Sequence, residues 1–270
     1  MFSSAAGPSR SAIQYSCYVA RSREGEQFVP EHIFGYQLAG SLTMTDGHGA
    51  HTFEEGDFRF CQRNQLVKFS KQPPAGGEFQ ALSVYLDQET LRRISLDYGY
   101  QAAPPPVGGA GGIRRLPATP LYRSFVASLR PYEHLQQPGN EHLLALKVRE
   151  AVLLLLQANP ELRDVLFDFA APGKIDLEAF MSQNFRFNVA LKRFAYLTGR
   201  SLATFKRDFE KIFRSSPSRW LQQRRLQEAH YLIKEKGQAP SEVYLAVGFE
   251  DLSHFSFAFK KTYGVAPSRL

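Results

Sequence analysis

The last third of the chain contains one arrangement twice, and this duplication constrains the fold more than any other feature. Each copy consists of a short apolar segment, a turn with glycine, a capping residue and a longer segment with an aromatic stripe. The stripes comprise Phe205, Phe209 and Phe213 in the first copy and Phe255, Phe259 and Tyr263 in the second. Because residues three and four apart share one side of a helix, each stripe predicts a helix that packs on its own domain and leaves its opposite side free.

The residues before each stripe predict how the helices are joined. Gly199 and Gly248 supply the turns, and Ser201 and Asp251 are expected to cap the following helices, since their side-chain oxygens can accept a hydrogen bond from a free backbone N–H. Two short helices joined by a tight turn are typical of a helix-turn-helix unit. Pro217 suits the first turn of a third helix that would connect the two units.

Positive charge is concentrated in the same region. Residues 171–270 contain 17 Lys and Arg against 9 Asp and Glu, a net charge of +8, whereas residues 1–170 contain 16 against 17, a net charge of −1. This asymmetry indicates a surface that binds a polyanion. Charge alone leaves open the alternative of a solvated basic surface without a partner.

The first part of the chain has the pattern of short antiparallel strands. From Ala12 to Leu86, apolar runs such as HIFGYQL and EFQALSVYL alternate with turns such as TDGHG and EEGD, which predicts a small barrel or sandwich. A Pro/Gly tract at 102–112 is expected to form a mobile loop. Beyond it, apolar residues at helical spacing predict three helices before residue 170.

The longest aliphatic run is AVLLLL at 151–156, far shorter than the roughly 20 residues that cross a bilayer. The N-terminus also lacks a hydrophobic signal core. We therefore expect a soluble, cytoplasmic protein without a membrane partner. The helix predicted at 141–157 has more apolar surface than one contact face needs, so Leu144, Val148, Ala151 and Leu155 are candidates for a homodimer interface. Burial within the monomer is the alternative.

Residues 176–270 resemble the DNA-binding domain of the AraC/XylS family of bacterial transcription regulators. The matching motifs are LTGRSLATFKRDFEKIF, SPSRWLQQRRLQEAHYLI and VGFEDLSHFSFAFKKTYGVAPS. The preceding LFDFAAPGKIDLEAFMSQNFRFN is similar to a branch of the family with a cupin-like N-terminal domain. The resemblance implies an α+β protein of two domains, with a cupin-like regulatory and dimerisation domain over residues 1–170 and a DNA-binding domain over residues 171–270.

The resemblance also implies which residues contact promoter DNA. Those expected to face bases are Arg200, Ala203, Thr204, Lys206, Arg207, Asp251, Leu252, Ser253 and Ser256. Those expected to contact phosphates are Lys211, Arg214, Lys260 and Lys261. Phe257 stands where the family often has a basic residue and Leu252 where a polar one is common, so the second unit is expected to grip the backbone more than it reads bases.

An enzymatic reading is the main alternative. GHGAHTFEEGD offers His48, His51, Glu54 and Glu55 for a cupin metal site, but the HxH pair of such sites is missing, so we expect no metal and no cofactor. A DNA-alkyl-damage response protein would need reactive thiolates, whereas Cys17 and Cys61 lie in apolar strand contexts that predict raised pKa values. Neither cysteine belongs to a CxxC pair.

The expected partner of the N-terminal domain stays open. A small apolar effector is expected among Phe34, Tyr36, Phe58 and Phe60, since ligand pockets are mostly apolar. The alternatives are ordinary core packing of these aromatics and a regulatory protein that docks on the barrel. If the protein is an activator, as the resemblance favours, RNA polymerase is a further partner.

Overall fold

A computed structural model describes residues 11–20, 27–103, 112–132 and 140–270. The strands lie in the first half of the chain: β1 (Ile13–Tyr18), β2 (Phe28–Val29), β3 (His32–Ala39), β4 (Ser41–Thr45), β5 (Ala50–Phe53), β6 (Phe58–Cys61), β7 (Gln65–Leu66), β8 (Lys68–Gln72), β9 (Phe79–Leu86) and β10 (Ile113–Leu116). They form a five-stranded sheet of order β1-β9-β3-β6-β10, a three-stranded sheet of order β5-β4-β8, and the pair β2-β7. The neighbours pair in antiparallel register throughout these sheets.

The five-stranded sheet is buried on both faces. Phe34 of β3 and Phe60 of β6 are register partners on the outer face, where they belong to the core beneath the helices. The neighbouring partners Ile33 and Cys61 belong to a separate core between the two larger sheets. Successive side chains of a strand point to opposite faces, so one strand serves both cores.

Helices cover the outer face of this sheet: α1 (Gln88–Tyr98), α2 (Pro120–Leu129), α3 (Glu141–Ala158) and α4 (Arg163–Leu166), with 3₁₀ turns at Arg130–Tyr132 and Pro160–Leu162. The rings of Tyr122 and Phe125 on α2 lie 5.1 and 6.1 Å from the ring of Phe34. The hydroxyl of the buried Tyr122 accepts a hydrogen bond of 2.6 Å from Asn159. This contact joins the start of α2 to the end of α3.

The α+β class and the strand-rich first part are confirmed, with three differences in detail. The two larger sheets form separate ladders among the described residues, so the predicted barrel is not closed. Helix α1 was not predicted, although Asp87 caps it by accepting a 2.8 Å bond from the N–H of Thr90. Strands β2 and β10 were not predicted either, and residues 104–111 of the Pro/Gly tract lie outside the described residues.

The apolar excess of α3 is used within the chain and not at the expected interface. Val148, Ala151 and Leu155 are at most 2% exposed and pack in the core that contains Phe34. Leu144 is partly buried against the same core. A second subunit therefore has no access to these residues, because the chain's own sheet and helices cover them. The exposed apolar side chains of α3 include Leu143 and Leu146, which lie on its other side.

The last hundred residues are helical: α5 (Leu177–Asn184), α6 (Leu191–Leu197), α7 (Leu202–Phe213), α8 (Pro217–Lys234), α9 (Pro240–Val247) and α10 (Leu252–Tyr263), followed by a 3₁₀ turn at Pro267–Arg269. They form two cores, and the predicted aromatic stripes occupy them. Phe205 and Phe209 are fully buried in the first core, and Phe255 and Phe259 are fully buried in the second. Helix α8 contributes to both, as the prediction of a connecting helix requires.

One contact between the β-rich part and the helical part is made by the smallest sheet, the pair β2-β7. Phe28 and Leu66, partners in the β2-β7 pair, belong to the first helical core together with Leu177 and Met181. The guanidinium of Arg193 on α6 lies 4.3 Å from the centre of the Phe28 ring. No helix among the described residues is long and apolar enough to span a membrane.

Candidate nucleic-acid interface

The turn of the first unit, α6 to α7, has a conformation that only glycine adopts without strain. Gly199 has φ +64, and a Cβ at this position would lie 2.3 Å from the backbone carbon of Gly173. The next residues start α7, where the hydroxyl of Ser201 accepts a 3.2 Å bond from the N–H of Thr204. The sequence therefore fixes the start of α7 by a steric requirement and a cap.

The free side of α7 matches most of the predicted base-facing set. Ala203, Lys206 and Arg207 are exposed, and Thr204 is half-buried beside the cap. The side chain of Arg207 is 66% exposed, and its closest described acidic neighbour, Asp208, lies 3.9 Å away. The guanidinium of Arg207 thus has donors available for a bidentate contact with guanine. Lys211 and Arg214, predicted to contact phosphates, are exposed at the end of the helix.

Arg200 does not fit its predicted role as a base reader. Its side chain is 7% exposed, and its Nε donates a 3.1 Å bond to Asp208. Its Nη1 donates to the backbone oxygens of Ile175 and Thr198 at 3.0 and 2.7 Å. The hydrogen bond from Arg200 helps to hold the pKa of the Asp208 carboxyl below its usual value. Arg200 therefore fastens the turn to the segment before α5, because its donors are already committed.

The second unit, α9 to α10, repeats this construction. Gly248 has φ +100, and a Cβ there would lie 2.6 Å from the backbone oxygen of Arg186. The carboxylate of Asp251 accepts a 2.7 Å bond from the N–H of His254, so this predicted base-facing residue serves as the helix cap. Equivalent steric and capping devices thus begin α7 and α10, which are named the first and second recognition helices from here on.

The free side of the second recognition helix is less polar than that of the first. Leu252 and Phe257 are 39% and 69% exposed, Ser253 is exposed, and Ser256 is half-buried. Positive charge is found at its C-terminal end, where Lys260 and Lys261 are exposed. An exposed phenylalanine offers apolar contact but no hydrogen bond to a base edge. That this helix grips the DNA backbone more than it reads bases stays a prediction.

Arg225 on α8 ties the two units together. Its Nε donates to the backbone oxygen of Phe185 at 2.8 Å, its Nη2 to that of Phe187 at 2.8 Å, and its Nη1 to that of Gly248 at 2.9 Å. The first two acceptors follow α5, and the third is in the turn before the second recognition helix. Sequence reasoning missed Arg225, since nothing in the run QQRRLQ distinguishes a committed arginine from a solvated one.

A cavity of about 120 Å³ lies in the β-rich part, on the inner face of the five-stranded sheet. The four aromatics predicted as an effector pocket do not line it. Phe34, Phe58 and Phe60 are at most 1% exposed and, with Tyr36, pack on the outer face beneath the helices. The cavity is lined by the alternate positions of the same strands, such as Ile33, Arg59 and Cys61.

The residues considered for catalysis do not form a reactive site in the part of the chain that the structure describes: the candidate metal ligands do not converge, and the two cysteine thiols have raised pKa values. Among the residues that the structure describes, no three His, Cys, Asp or Glu side chains lie close enough to hold a metal ion. Cys61 is buried, which raises the pKa of its thiol to about 12. Cys17 is exposed despite its apolar strand context, and a 2.8 Å hydrogen bond to Glu78 raises the pKa of its thiol.

Comparison with known proteins gives matches for both parts. Residues 194–270 match a helix-turn-helix domain family, and residues 32–165 match the ExsA N-terminal regulatory domain family. The chain is 26% identical over 239 residues to the HTH-type transcriptional regulator ExsA of Pseudomonas aeruginosa. The aligned region covers 86% of this chain and 83% of ExsA. It is 30% identical over 93 residues to the virulence regulon transcriptional activator VirF of Yersinia enterocolitica, 34% of each chain.

Among solved structures, a crystal structure of apo ToxT from Vibrio cholerae aligns over 96% of this chain and 97% of that chain, with 11% identity and a TM-score of 0.47. The family matches come in the chain order that the fold requires, a β-rich regulatory part followed by two helix-turn-helix units. The relative that spans most of the chain is itself a transcription regulator. This chain belongs to the AraC/XylS family of DNA-binding transcription regulators.

Proposed function

We propose that this protein activates transcription by placing its two recognition helices in successive major-groove segments on one face of promoter DNA. The observation that carries the proposal is the pair of capped helices, each buried by an aromatic stripe and free on its opposite side, within a region of net charge +8. Arg207 is the proposed base reader of the first helix. Ala203, Thr204 and Lys206 accompany it, and Ser253 and Ser256 are the polar groups of the second helix.

The proposal assigns phosphate contacts to the exposed cations at the helix ends, Lys211, Arg214, Lys260 and Lys261. Phosphate contacts position a protein on the duplex without carrying sequence information. We assign DNA binding to residues 171–270 and regulation to residues 1–170. An activating role, with RNA polymerase as a partner, is supported by the relative VirF, which is named a transcriptional activator. No catalytic step, metal or cofactor forms part of the proposal.

A homodimer is part of the proposal, but its interface must differ from the one first expected. Val148, Ala151 and Leu155 lie in the monomer core, whereas Leu143 and Leu146 on the same helix are 44% and 62% exposed. These two leucines are three residues apart and share one side of α3, so they are available to a second copy. Sedimentation velocity of the full chain tests the dimer, and a monomer at high concentration would remove it from the proposal.

The test of the proposal is the salt dependence of DNA binding by the full chain. If the exposed cations neutralise phosphates, the logarithm of affinity falls linearly with the logarithm of salt concentration, with a slope of about −0.9 for each phosphate contacted. Fluorescence anisotropy with a labelled random duplex measures this slope. An affinity that does not change with salt would contradict a DNA-binding surface. Sequence preference follows from selection of bound duplexes from a random library.

A further inference from the structure

The cavity in the β-rich part contains a buried positive charge. Apolar side chains form most of its wall, among them Ile33, Leu42, Met44, Phe69 and Phe79. Arg59 lines the same cavity and is 4% exposed, which is unusual for an arginine in the middle of a strand. The combination differs from an ordinary hydrophobic core, where a cation would be excluded.

The guanidinium of Arg59 is incompletely bonded. Its Nη2 donates a long bond of 3.4 Å to the hydroxyl of Ser83, and its Nη1 is buried without a hydrogen-bond partner among the described residues. No ion pair to Arg59 is found within the part of the chain that the structure describes. A buried charge without a counter-charge destabilises a fold. An anionic group next to Nη1 would remove this destabilisation.

The backbone makes room for this guanidinium. Gly35 on β3 is the register partner of Arg59 on β6, and a Cβ at Gly35 would lie 2.6 Å from both Cζ and Nε of Arg59. The Arg59 side chain therefore lies across a position where any other residue would displace it. A glycine at position 35 is therefore needed for the Arg59 side chain to occupy this place between the two sheets.

Among the described residues that line the cavity, positive charges outnumber negative ones. Lys71 lines it with its Nζ 4.0 Å from the centre of the Tyr18 ring, and Glu31 lines it from a half-buried position. The remaining polar groups are Ser16, Ser83, Tyr85 and the thiol of Cys61, whose pKa of about 12 keeps it uncharged. Two cations against one carboxylate favour a monoanion over a dianion or a neutral compound.

We propose that this cavity binds a small organic carboxylate, with the carboxylate on Arg59 and a short apolar body against the aliphatic and aromatic wall. The volume sets the size of the ligand, since a cavity of roughly 150 Å³ holds one benzene molecule and this one measures about 120 Å³. A monocarboxylate of about four to six carbon atoms has that size. Arginine suits this ligand because its planar donors match a carboxylate in bidentate geometry.

The site is placed to regulate the recognition helices. Strand β8 contributes Phe69 and Lys71 to the cavity wall, and its first residue, Lys68, donates hydrogen bonds to the backbone oxygens of Leu245 and Ala246 at the end of α9. Phe28 also lines the cavity and packs in the first helical core. A ligand that shifts β8 or Phe28 changes the contact between the two parts. This regulatory consequence rests on the proposed function, whereas carboxylate binding does not.

Isothermal titration of the full chain with butyrate, butanamide and inorganic phosphate tests the site. We expect butyrate to bind roughly tenfold or more tightly than the isosteric butanamide, because only the carboxylate forms a charge-assisted bidentate contact. Phosphate is expected to bind more weakly than butyrate, since it has no apolar body. Equal binding of butyrate and butanamide, or no binding of butyrate, would overturn the proposal, and tighter binding of phosphate would replace it with a phosphate site.

Variants locate the binding. Arg59→Gln should abolish the preference for butyrate, and Arg114→Gln should keep it, because Arg114 is on the neighbouring strand with its side chain on the opposite face of the sheet. If Arg59→Gln does not fold by circular dichroism, Ala81→Leu, which fills the cavity from its wall, serves instead and should also abolish binding. A retained preference for butyrate in folded Arg59→Gln, or retained butyrate binding in folded Ala81→Leu, overturns the assignment. Fluorescence anisotropy with a random duplex, measured without ligand, tests the DNA-binding proposal independently of carboxylate binding.

Discussion

The side-chain ammonium of Lys68 donates a 2.7 Å hydrogen bond to the backbone oxygen of Ala246. Lys68 begins strand β8, and Ala246 lies in the last turn of α9, the helix that precedes the second recognition helix. A second bond of 3.1 Å from the same ammonium reaches the oxygen of Leu245. A cation at the C-terminal end of a helix satisfies free carbonyls and interacts favourably with the helix dipole. The β-rich part therefore stabilises a helix of the DNA-binding part directly.

Replacing Lys68 with methionine should weaken this contact. Methionine keeps the apolar stem but cannot donate, so two carbonyls at the end of α9 lose their partner. Burial lowers the pKa of Lys68 to about 7, so the side chain is charged only below that pH. In that range we expect a loss of about 1.5–3 kcal/mol in the free energy of unfolding, the usual contribution of hydrogen bonds from a charged group. Urea denaturation followed by circular dichroism measures the change. Lys192→Met, an exposed position on α6, is the control and should change stability by less than about 0.5 kcal/mol.

Arg207 and Lys261 should respond differently to truncation. Arg207→Ala is expected to cost about 1–3 kcal/mol of binding free energy on selected DNA and to relax preference at one base pair. Lys261→Ala should weaken binding to all sequences alike and lower the salt slope by about 1. Anisotropy on selected and random duplexes compares the two. Equal losses on both duplexes for Arg207→Ala would remove its role as a base reader.

Arg200→Ala should act through stability and not through sequence preference. It deletes one contact to Asp208 and two backbone contacts, so we expect a loss of about 2–4 kcal/mol in the free energy of unfolding. Urea denaturation of Arg200→Ala and of Arg207→Ala, side by side, measures the contrast between a committed and an exposed arginine. A stable Arg200→Ala protein with altered base preference would restore the original assignment of Arg200.

His32 should make the fold sensitive to mild acid. It is fully buried with its Nδ1 accepting a 3.2 Å bond from the N–H of Arg63, and burial, assisted by the charge of Arg63, lowers its pKa from 6.5 to about 3. The unfolded chain then binds a proton that the folded chain does not. Stability is therefore complete above pH 6.5 and falls by up to about 1.4 kcal/mol per pH unit between pH 6.5 and about 3.

Urea denaturation of the wild type and His32→Gln at several pH values between about 7 and about 5 tests this dependence. The comparison uses slopes and not absolute stabilities, because the substitution also changes packing against Phe60. We expect His32→Gln to have a flatter pH dependence, and His48→Gln, at an exposed turn, to keep the slope of the wild type. Parallel slopes for wild type and His32→Gln would show that another group is responsible.

Val148→Glu and Leu146→Glu should separate core from surface on α3. Val148 is 2% exposed and Leu146 is 62% exposed. A glutamate at position 148 would bury an unpaired carboxylate and is expected to unfold the β-rich part, whereas Leu146→Glu should keep the fold. Circular dichroism melting decides this, and sedimentation of the folded Leu146→Glu protein shows whether the exposed side of α3 supports a dimer. A folded, monomeric Val148→Glu protein would instead support the interface first expected there.

The sequence was most informative where one face of an element is buried. In the recognition helices, apolar and polar residues separate cleanly at helical spacing, and the glycine turns and caps allow one local conformation, so these elements were predicted almost to the residue. The role of Arg200 was not predictable in this way. Its partners Asp208 and Ile175 lie 8 and 25 residues away along the chain. The sequence alone does not show whether the donors of an arginine side chain are already hydrogen-bonded within the protein.

The cavity was missed because β3 and β6 are buried on both faces. In such strands, periodicity does not tell which residues face a cavity and which face packed helices, and a shift of one residue exchanges the two sets. The aromatic residues at positions 34, 36, 58 and 60 were chosen for their large apolar side chains. The residue of these strands that indicates the cavity is the arginine in FRFC. A charged residue inside an otherwise apolar strand is the available signal for a built polar site. Helix α1 had a signal too, in the Asp87 cap, that its polar composition obscured.

The three hydrogen bonds of Arg225 have a consequence for the targets that this protein can recognise. Since one side chain fastens the loop after α5 and the turn before the second recognition helix, the two units cannot rotate independently. One inserted base pair between the two recognised segments would turn the second segment by about 35° around the duplex axis, out of reach of a helix so held. Binding should therefore be less sensitive to single base substitutions than to insertions between the two recognised segments. The number of base pairs between these segments should be the same in all promoters that the protein controls.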